Sequence, residues 1–489
     1  MTNHTQASAL PRMQPSPELL SALADIVPAE RIIIDELSLK TFECDGLMLY
    51  REMPLVAVLP ETVEQVQAIM RLSHRMEIPI VPRGAGTGLC AGAMPHPEGM
   101  LLNLAAMDAI LQIDAANQLA RVQPGVSNLS ISVAAEPLGL FYAPDPSSQI
   151  ICSIGGNIAE NSGGVHCLKY GLTVHNLVSV TLVTHDGDIV QLGGSGLESP
   201  GADLLALVTG SEGLLGIVVE ATVRLLPRPE TTAVLVAGFD SVRRAGDAVA
   251  RIIAQGIVPA GLEMMDALAI QAAEDFAEAG YPRDAKALLL CELDGTQAEV
   301  SAVLENTLQL LEAAGATSIT VAEDLAAQER LWKGRKSAFP AVGRIARDYY
   351  CMDGTIPRSR VADVLEEIER LSQHYDLRVA NVFHAGDGNL HPLILFDSRD
   401  PDQRQRAEAF GAAILEHSVA VGGCISGEHG VGLEKLRQMP MQFAREELLQ
   451  FEELKIAFDP KLLLNPGKGI PILRRCQEYR ALPEKHQHV

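Results

Sequence analysis

The segment GAGTGLCAGA at residues 84–93 limits this chain more than any other stretch. Gly86-Thr-Gly88-Leu-Cys-Ala91 spells the G-x-G-x-x-A of a dinucleotide turn. That turn needs a helix directly behind it, because the helix N-terminus holds the pyrophosphate. Pro95 and Pro97 stand where the helix would run, and strand-like MLLNL follows. A Rossmann NAD site is therefore rejected. Two readings of the loop remain. One is a tight turn without a ligand. The other is a loop whose glycines, having no Cβ, let backbone N–H groups converge on an anion, with Arg83 adding charge.

The flanking pattern supports a layered α/β unit. LVAVLP (55–60) reads as a strand closed by proline. Thr62 and Gln65 form a T-x-x-Q capping box, and Val63, Val66, Ile69 and Met70 fall on one helical face. Pro79 is expected to end that helix before the strand IPIVPR, completing a β-α-β unit. Strands are expected again at LARVQPG, a helix over 129–140 ending at Gly139, and a hairpin over 177–193 around Asp186-Gly187. Between them, residues 143–171 show no clear periodicity. They carry a second glycine-rich loop, SIGGNIAENSGG (153–164), with Asn157 and Asn161. Long ordered loops are usually functional. Two in one unit favour a large cofactor with a diphosphate. Lys468 in NPGKG does not complete a P-loop, because Gly469 stands where Ser or Thr is required.

After residue 230 strands and amphipathic helices alternate, as in an α+β unit whose antiparallel sheet is covered by helices on one side. The fold class expected is α+β: a two-part α/β cofactor domain followed by an antiparallel-sheet substrate domain. The parts are an arm at 1–49, the cofactor domain at 50–230, the substrate domain at 231–430 and a returning segment at 431–489. A length of 489 residues is consistent with about three domains. Lys+Arg 39 against Asp+Glu 62 gives −23, which repels phosphate backbones and anionic bilayers and makes nucleic acid a poor partner. No two of the eight cysteines are three apart, so this chain alone is not expected to hold a zinc ribbon or an iron–sulfur cluster. The N-terminus lacks a signal layout and no long apolar run is present, which points to the cytoplasm.

The sharpest local signal is His384-Ala-Gly-Asp-Gly-Asn-Leu-His391. On one straight strand a spacing of seven would point the rings to opposite faces. The turn Gly386-Asp387-Gly388-Asn389 can fold the chain so that they meet. Glu428 in CISGEHGVG then makes a His₂Glu set with open positions, the layout of a catalytic metal site. Its neighbour His429 is a candidate base. The competing reading is two satisfied strand histidines and an unrelated turn. Arg335 in WKGRK could clamp a substrate carboxylate, although such an arginine is usually solvated.

Taken together, PRGAGTGLCAGA, APDPSSQIICSIGGNIAENSGGVHCLKYG, GSEGLLG, NVFHAGDGNLHP, ISGEHGVG and LLNPGKG resemble the FAD-linked oxidases of the vanillyl-alcohol-oxidase type. Within that family the likeness is greatest to the catalytic flavoprotein subunits that oxidise glycolate in bacteria, with D-lactate and D-2-hydroxyglutarate dehydrogenases as near relatives. The resemblance implies that Arg83, Gly84, Ala85, Gly86, Thr87 and Gly88 hold the FAD pyrophosphate, with Pro82 in the same cofactor site. It implies that Pro144, Asp145, Ser147, Ser148, Gly155, Gly156 and Asn157 line the flavin. Asn161, Ser162, Gly163, Gly164, Glu212, Gly213, Ile217, Asn465 and Lys468 would complete the site. It implies a divalent metal (zinc, manganese or iron) on His384, His391 and Glu428, with His429 as base and Arg335 on the substrate carboxylate.

The hydroxyglutarate enzymes carry a lysine where this chain has Tyr350-Cys351-Met352, so a small monocarboxylate fits better. His166 and Cys167 belong to no motif that requires a covalent flavin bond, and noncovalent FAD is expected. The implied partners are an iron–sulfur electron-transfer subunit and a further flavoprotein subunit, with the membrane reached only through them. D-lactate oxidation, a flavin-free metal-dependent hydrolase and a noncatalytic flavin scaffold are the competing readings.

Overall fold

The computed structural model describes residues 12–194 and 201–472. The expected N-terminal arm is therefore described only from residue 12, and the returning segment only to residue 472.

The first layer is a four-stranded sheet. Val56–Val58, Met100–Asn103 and Ile80–Arg83 run parallel, and Ile32–Ile33 adds an antiparallel edge. The helix Val63–Met76 is the crossover, and its Val66, Ile69 and Met70 are buried with the sheet's core. Thr62 Oγ1 accepts the N–H of Gln65 at 3.3 Å, a cap that typically contributes about 1 kcal/mol. Gln65 reaches back to the N–H of Glu61, not to Thr62, so the box is displaced by one residue. The helix closes on left-handed Glu77 (φ 54°), ahead of Pro79. At the far end of the chain Asn465 donates its N–H to Ile80 O at 2.7 Å, and Ile80 donates to Leu463 O at 2.8 Å.

The second layer is a five-stranded antiparallel sheet in the order 110–114, 119–122, 217–224, 177–183, 189–193. The last two strands are the hairpin around Asp186-Gly187, where Gly187 adopts φ 84°. The region expected to be irregular contains a helix, Ile154–Glu160, capped by Ser153. Its sequence hid it, because Gly155 and Gly156 are poor helix formers.

The third layer has Thr231–Phe239, Gly261–Asp266, Ala287–Gly295, Ser318–Val321 and Val379–His384 in one antiparallel sheet. Alternate residues of its strands belong to two separate cores. Leu235, Ala237, Leu289 and Cys291 pack with the helices Val242–Ala254 and Val361–Tyr375. Val234, Val236, Leu288 and Leu290 pack with Ala267–Ala277. The sheet is thus covered on both faces, not on one. A strand buried on both sides reads as the unbroken apolar run ALLLC rather than as an alternation.

Candidate functional site: one cavity with a glycine end and a histidine end

A cavity of about 550 Å³ runs between the layers. Its walls include Gly84–Gly88, Ser147, Ser148, Gly155–Asn157, Ser162, Glu212, Gly213 and Ile217 on one side. On the other side stand His391, Glu428 and His429. Two glycine loops and a histidine cluster far apart in sequence therefore share one space.

At the glycine end, close packing explains the residue types. A Cβ on Gly155 would lie 2.7 Å from Pro124 Cβ, and one on Gly86, whose φ is 71°, would overlap the Arg83 guanidinium. Arg83 is turned under the loop and donates to Cys44 O at 2.8 Å and Ala93 O at 3.3 Å. It lines the cavity and braces the loop through Nη1. Lys468 donates to Gly92 O at 3.2 Å, to Met94 O and to Asn465 Oδ1 at 2.7 Å. Asn465 donates to Gly92 O at 3.0 Å and Glu212 O at 2.8 Å. These two residues tie the returning segment to the loop from outside the cavity wall. Burial pulls the Lys468 ammonium down to about 8 despite the nearby Asp45 carboxylate.

Pro144, Asp145, Asn161, Gly163 and Gly164 also lie off the wall. Pro144 O accepts from Asn128 Nδ2 at 3.0 Å. Asn161 ends the helix Ile154–Glu160 in the left-handed region and accepts from Val174 N. Gly163 packs on Glu428, and a Cβ on Gly164 would overlap Asp145 O. Asp145 holds His166 Nδ1 at 2.8 Å, while His166 Nε2 lies 3.2 Å from Glu292 of the third layer. Neither His166 nor Cys167 reaches the cavity wall. Burial and the Asp145 carboxylate hold the Cys167 thiol well above its ordinary range.

At the histidine end, His384 and Asn389 pair across the turn that the glycines make, which brings the rings of His384 and His391 to 5.1 Å. Their Nε2 atoms lie 3.4 Å and 2.9 Å from Glu428 Oε1. One ligand atom from each of the three falls within 4.8 Å of the others. The second nitrogens are occupied too. His384 Nδ1 is 2.7 Å from Glu263 Oε1, and His391 Nδ1 is 3.4 Å from Met352 O. The His384 ring thus lies between two carboxylates, an arrangement satisfied by a second proton or by a cation at Nε2. The donor set and these outer partners fit a divalent metal. Burial alone would depress His384, but Glu263 and Glu428 raise it well above the ordinary histidine range.

His429 stacks on His391 with ring centroids 5.0 Å apart and planes 6° off parallel. Its Nδ1 is buried with no hydrogen-bond partner. Burial lowers its pKa to about 4, with only partial compensation from Asp353, so the ring is neutral at neutral pH.

Arg335, the expected carboxylate clamp, stands behind the histidine end and keeps its Nε buried without a hydrogen-bond partner. Arg335 is 2% exposed and lies 2.6 Å from Glu263 Oε2. The helix Leu325–Lys336 turns this residue into the core, and Glu263 neutralises it there. The groups that the sequence reading missed are Glu263 and Asp353, while Glu212, expected at the cofactor site, lines the cavity. Asp353 is fully buried and accepts Ser426 Oγ and the N–H groups of Gly427, Glu428 and His429 at 2.7–3.2 Å. Glu212 accepts the N–H groups of Val431 and Gly432, each at 2.7 Å. Of these only Glu212 carried a sequence signal, as the acid of GSEGLLG.

Residues 54–193 match the family description "FAD binding domain", and residues 228–469 match "FAD linked oxidases, C-terminal domain". The chain belongs to the FAD-linked oxidases of the vanillyl-alcohol-oxidase type. Its relatives include the glycolate oxidase subunit GlcD of Escherichia coli (strain K12), 58% identical over 96% of this chain and 94% of that one. GlcD of Bacillus subtilis (strain 168) is 40% identical over 87% and 91%. The D-lactate dehydrogenase of Anaerostipes hadrus is 31% identical over 93% and 97%. In fold the chain resembles 4-ethylphenol oxidase from Gulosibacter chungangensis, with a TM-score of 0.79 at 18% identity over 96% and 97% of the two chains.

Proposed function

We propose that this protein oxidises glycolate to glyoxylate, as the FAD-bearing subunit of an electron-transfer complex. The observation that carries the reading is the shared cavity, which joins a glycine-lined cofactor wall to His391, Glu428 and His429. The 58% relative is named a glycolate oxidase subunit, whereas the D-lactate dehydrogenase is only 31% identical.

His429 is neutral and stands beside the candidate ligands, so it is placed to accept the substrate's hydroxyl proton. The residues of the glycine wall would hold FAD, which would supply the two-electron acceptor for this oxidation. A divalent metal on His384, His391 and Glu428 would polarise the hydroxyl as a Lewis acid. Glu263 orients His384 and is itself held by Arg335. Asp353 fixes the turn that carries Glu428 and His429. The FAD is read as noncovalent, because His166 is engaged at both nitrogens and neither it nor Cys167 meets the cavity.

The electrons would pass to an iron–sulfur subunit, with a further flavoprotein subunit beside it, and the complex would sit peripherally at the membrane. Among the described residues no helix is long and apolar enough to cross a membrane, so membrane contact is assigned to the partners. The test is an absorption spectrum of the purified chain before and after anaerobic addition of glycolate. Flavin bands that bleach with glycolate support the reading. Bands that bleach only with D-lactate reassign the substrate. A folded but colourless protein rejects it.

A further inference from the structure

Residues 330–347 run against the character of the whole chain. They hold six basic side chains and no acid, in a protein whose formal net charge is −23. Arg335 turns inward, whereas Arg330, Lys333 and Lys336 are exposed on the same helix, Leu325–Lys336. At about 100° and 1.5 Å per residue, these three fall within about 120° of the helix circumference and about 9 Å of its length. Among the described residues none of the three forms a salt bridge, not even Lys333 with Glu329 one turn ahead of it. The later members of the run are partly engaged. Arg344 lies over the Phe276 ring at 4.2 Å, and Arg347 is 3.8 Å from Asp348 and from Asp397.

The basic helix face ends at the mouth of the cavity. Beyond residue 230 the cavity wall consists of Lys336, Phe339, Pro340, His391, Glu428 and His429. Of these only Lys336 and Pro340 are exposed, so the histidine end meets solvent beside the last turn of this helix. The positive charge is felt inside the protein as well. Burial would raise the Asp145 carboxylate, but its contacts with His166 and, beyond them, the charge of Lys336 hold it below the ordinary range. A cleft lined by one sign of charge, with low-dielectric walls, focuses field lines and concentrates the opposite ion. A carboxylate in solution is repelled by the net charge of −23 and attracted at this helix.

We propose that the helix face carrying Arg330, Lys333 and Lys336 draws the anionic 2-hydroxy acid to the mouth of the cavity. It acts on the approach of the substrate and leaves the expected role of Arg335 inside the site unchanged. The inference rests on the substrate class proposed above. An acidic face of a partner protein is the other occupant such a surface would take, and the place of Lys336 on the cavity wall favours the small anion. The test follows anaerobic bleaching of the flavin-loaded chain by stopped flow, with glycolate and with D-lactate, each a monoanion. It compares wild type with the double reversal Arg330→Glu, Lys333→Glu and with the charge-keeping Lys333→Arg. Neither Arg330 nor Lys333 lines the cavity, so any effect acts through charge at a distance. The bimolecular rate of bleaching in the double reversal should fall about 3- to 10-fold at about 10 mM salt, and the deficit should vanish near 1 M, where the Debye length is about 3 Å. The limiting rate at saturating substrate should stay near wild type, and Lys333→Arg should bleach like wild type throughout. Equal bimolecular rates at low salt, or a deficit that salt does not remove, overturn the proposal. A double reversal that bleaches normally but passes electrons to a membrane preparation more slowly overturns it too, and assigns the surface to a partner. If neither acid bleaches the flavin, the function proposed above fails separately. Acetate titrations of the flavin absorption shift then decide the charge effect, with weaker binding in the double reversal at low salt alone expected and equal binding overturning it.

Discussion

The Asp353 carboxylate accepts the backbone N–H of His429 at 2.8 Å, across a sequence separation of 76 residues. It also accepts the N–H of Glu428 and lies 3.2 Å from the buried Lys435 ammonium. One acid thus fixes the backbone of the candidate base and of a candidate metal ligand, and balances a buried cation.

Replacing that acid should therefore damage folding and chemistry together. Breaking a buried ion pair on one side typically costs about 3–5 kcal/mol, because the other charge is left uncompensated. Asp353→Asn should lower the melting temperature markedly and slow flavin reduction in whatever fraction folds. A thermal melt with stopped-flow reduction by glycolate would check both. Wild-type values in both would show that the turn holds itself.

His429 has a different signature. Its side chain makes no hydrogen bond at Nδ1, so its removal should spare the fold. His429→Ala should keep flavin content and melting temperature near wild type and lose roughly 10²- to 10⁴-fold in turnover. Full activity in that variant would remove the base assignment.

The metal reading predicts a dependence on the outer partner as well as on the ligands. Glu263 holds His384 Nδ1 at 2.7 Å, and loss of such a partner typically costs about 10- to 100-fold in metal affinity. Glu263→Gln should bind manganese or zinc that much more weakly in a competition titration. Chelation of the native protein should abolish glycolate-driven bleaching, and added metal should restore it. A metal-free native protein that bleaches at full rate would dismiss the site.

His166 joins two layers through Asp145 and Glu292, and Trp332 Nε1 donates to the same Glu292 at 2.5 Å. Burial would depress the imidazole, but the two carboxylates raise it well above its ordinary value of about 6.5. Its stabilisation is therefore complete below about pH 6.5 and is lost as pH rises through the raised pKa. The gap in melting temperature between wild type and His166→Gln should be widest near pH 6 and shrink toward alkaline pH. A gap that widens with pH would contradict the sign.

The order of layers and most elements were legible from local pattern. Val66, Ile69 and Met70 mark a helical face, the Asp186-Gly187 turn marks a hairpin, and the spacing of His384 and His391 around glycines marks a paired site. These signals are local, because backbone geometry and side-chain periodicity act over a few residues. What only the tertiary structure decided is which charges are spent on one another. Arg335, Arg83 and Lys468 read alike as cations available for a ligand. The fold pairs the first with Glu263 and turns the other two onto backbone carbonyls. Glu263 and Asp353 gave no comparable local signal, because their partners are 72 to 121 positions away. The sequence carried the residue types that the chemistry needs. Burial decided their roles, because a desolvated charge must find a partner and long-range packing determines which one is within reach.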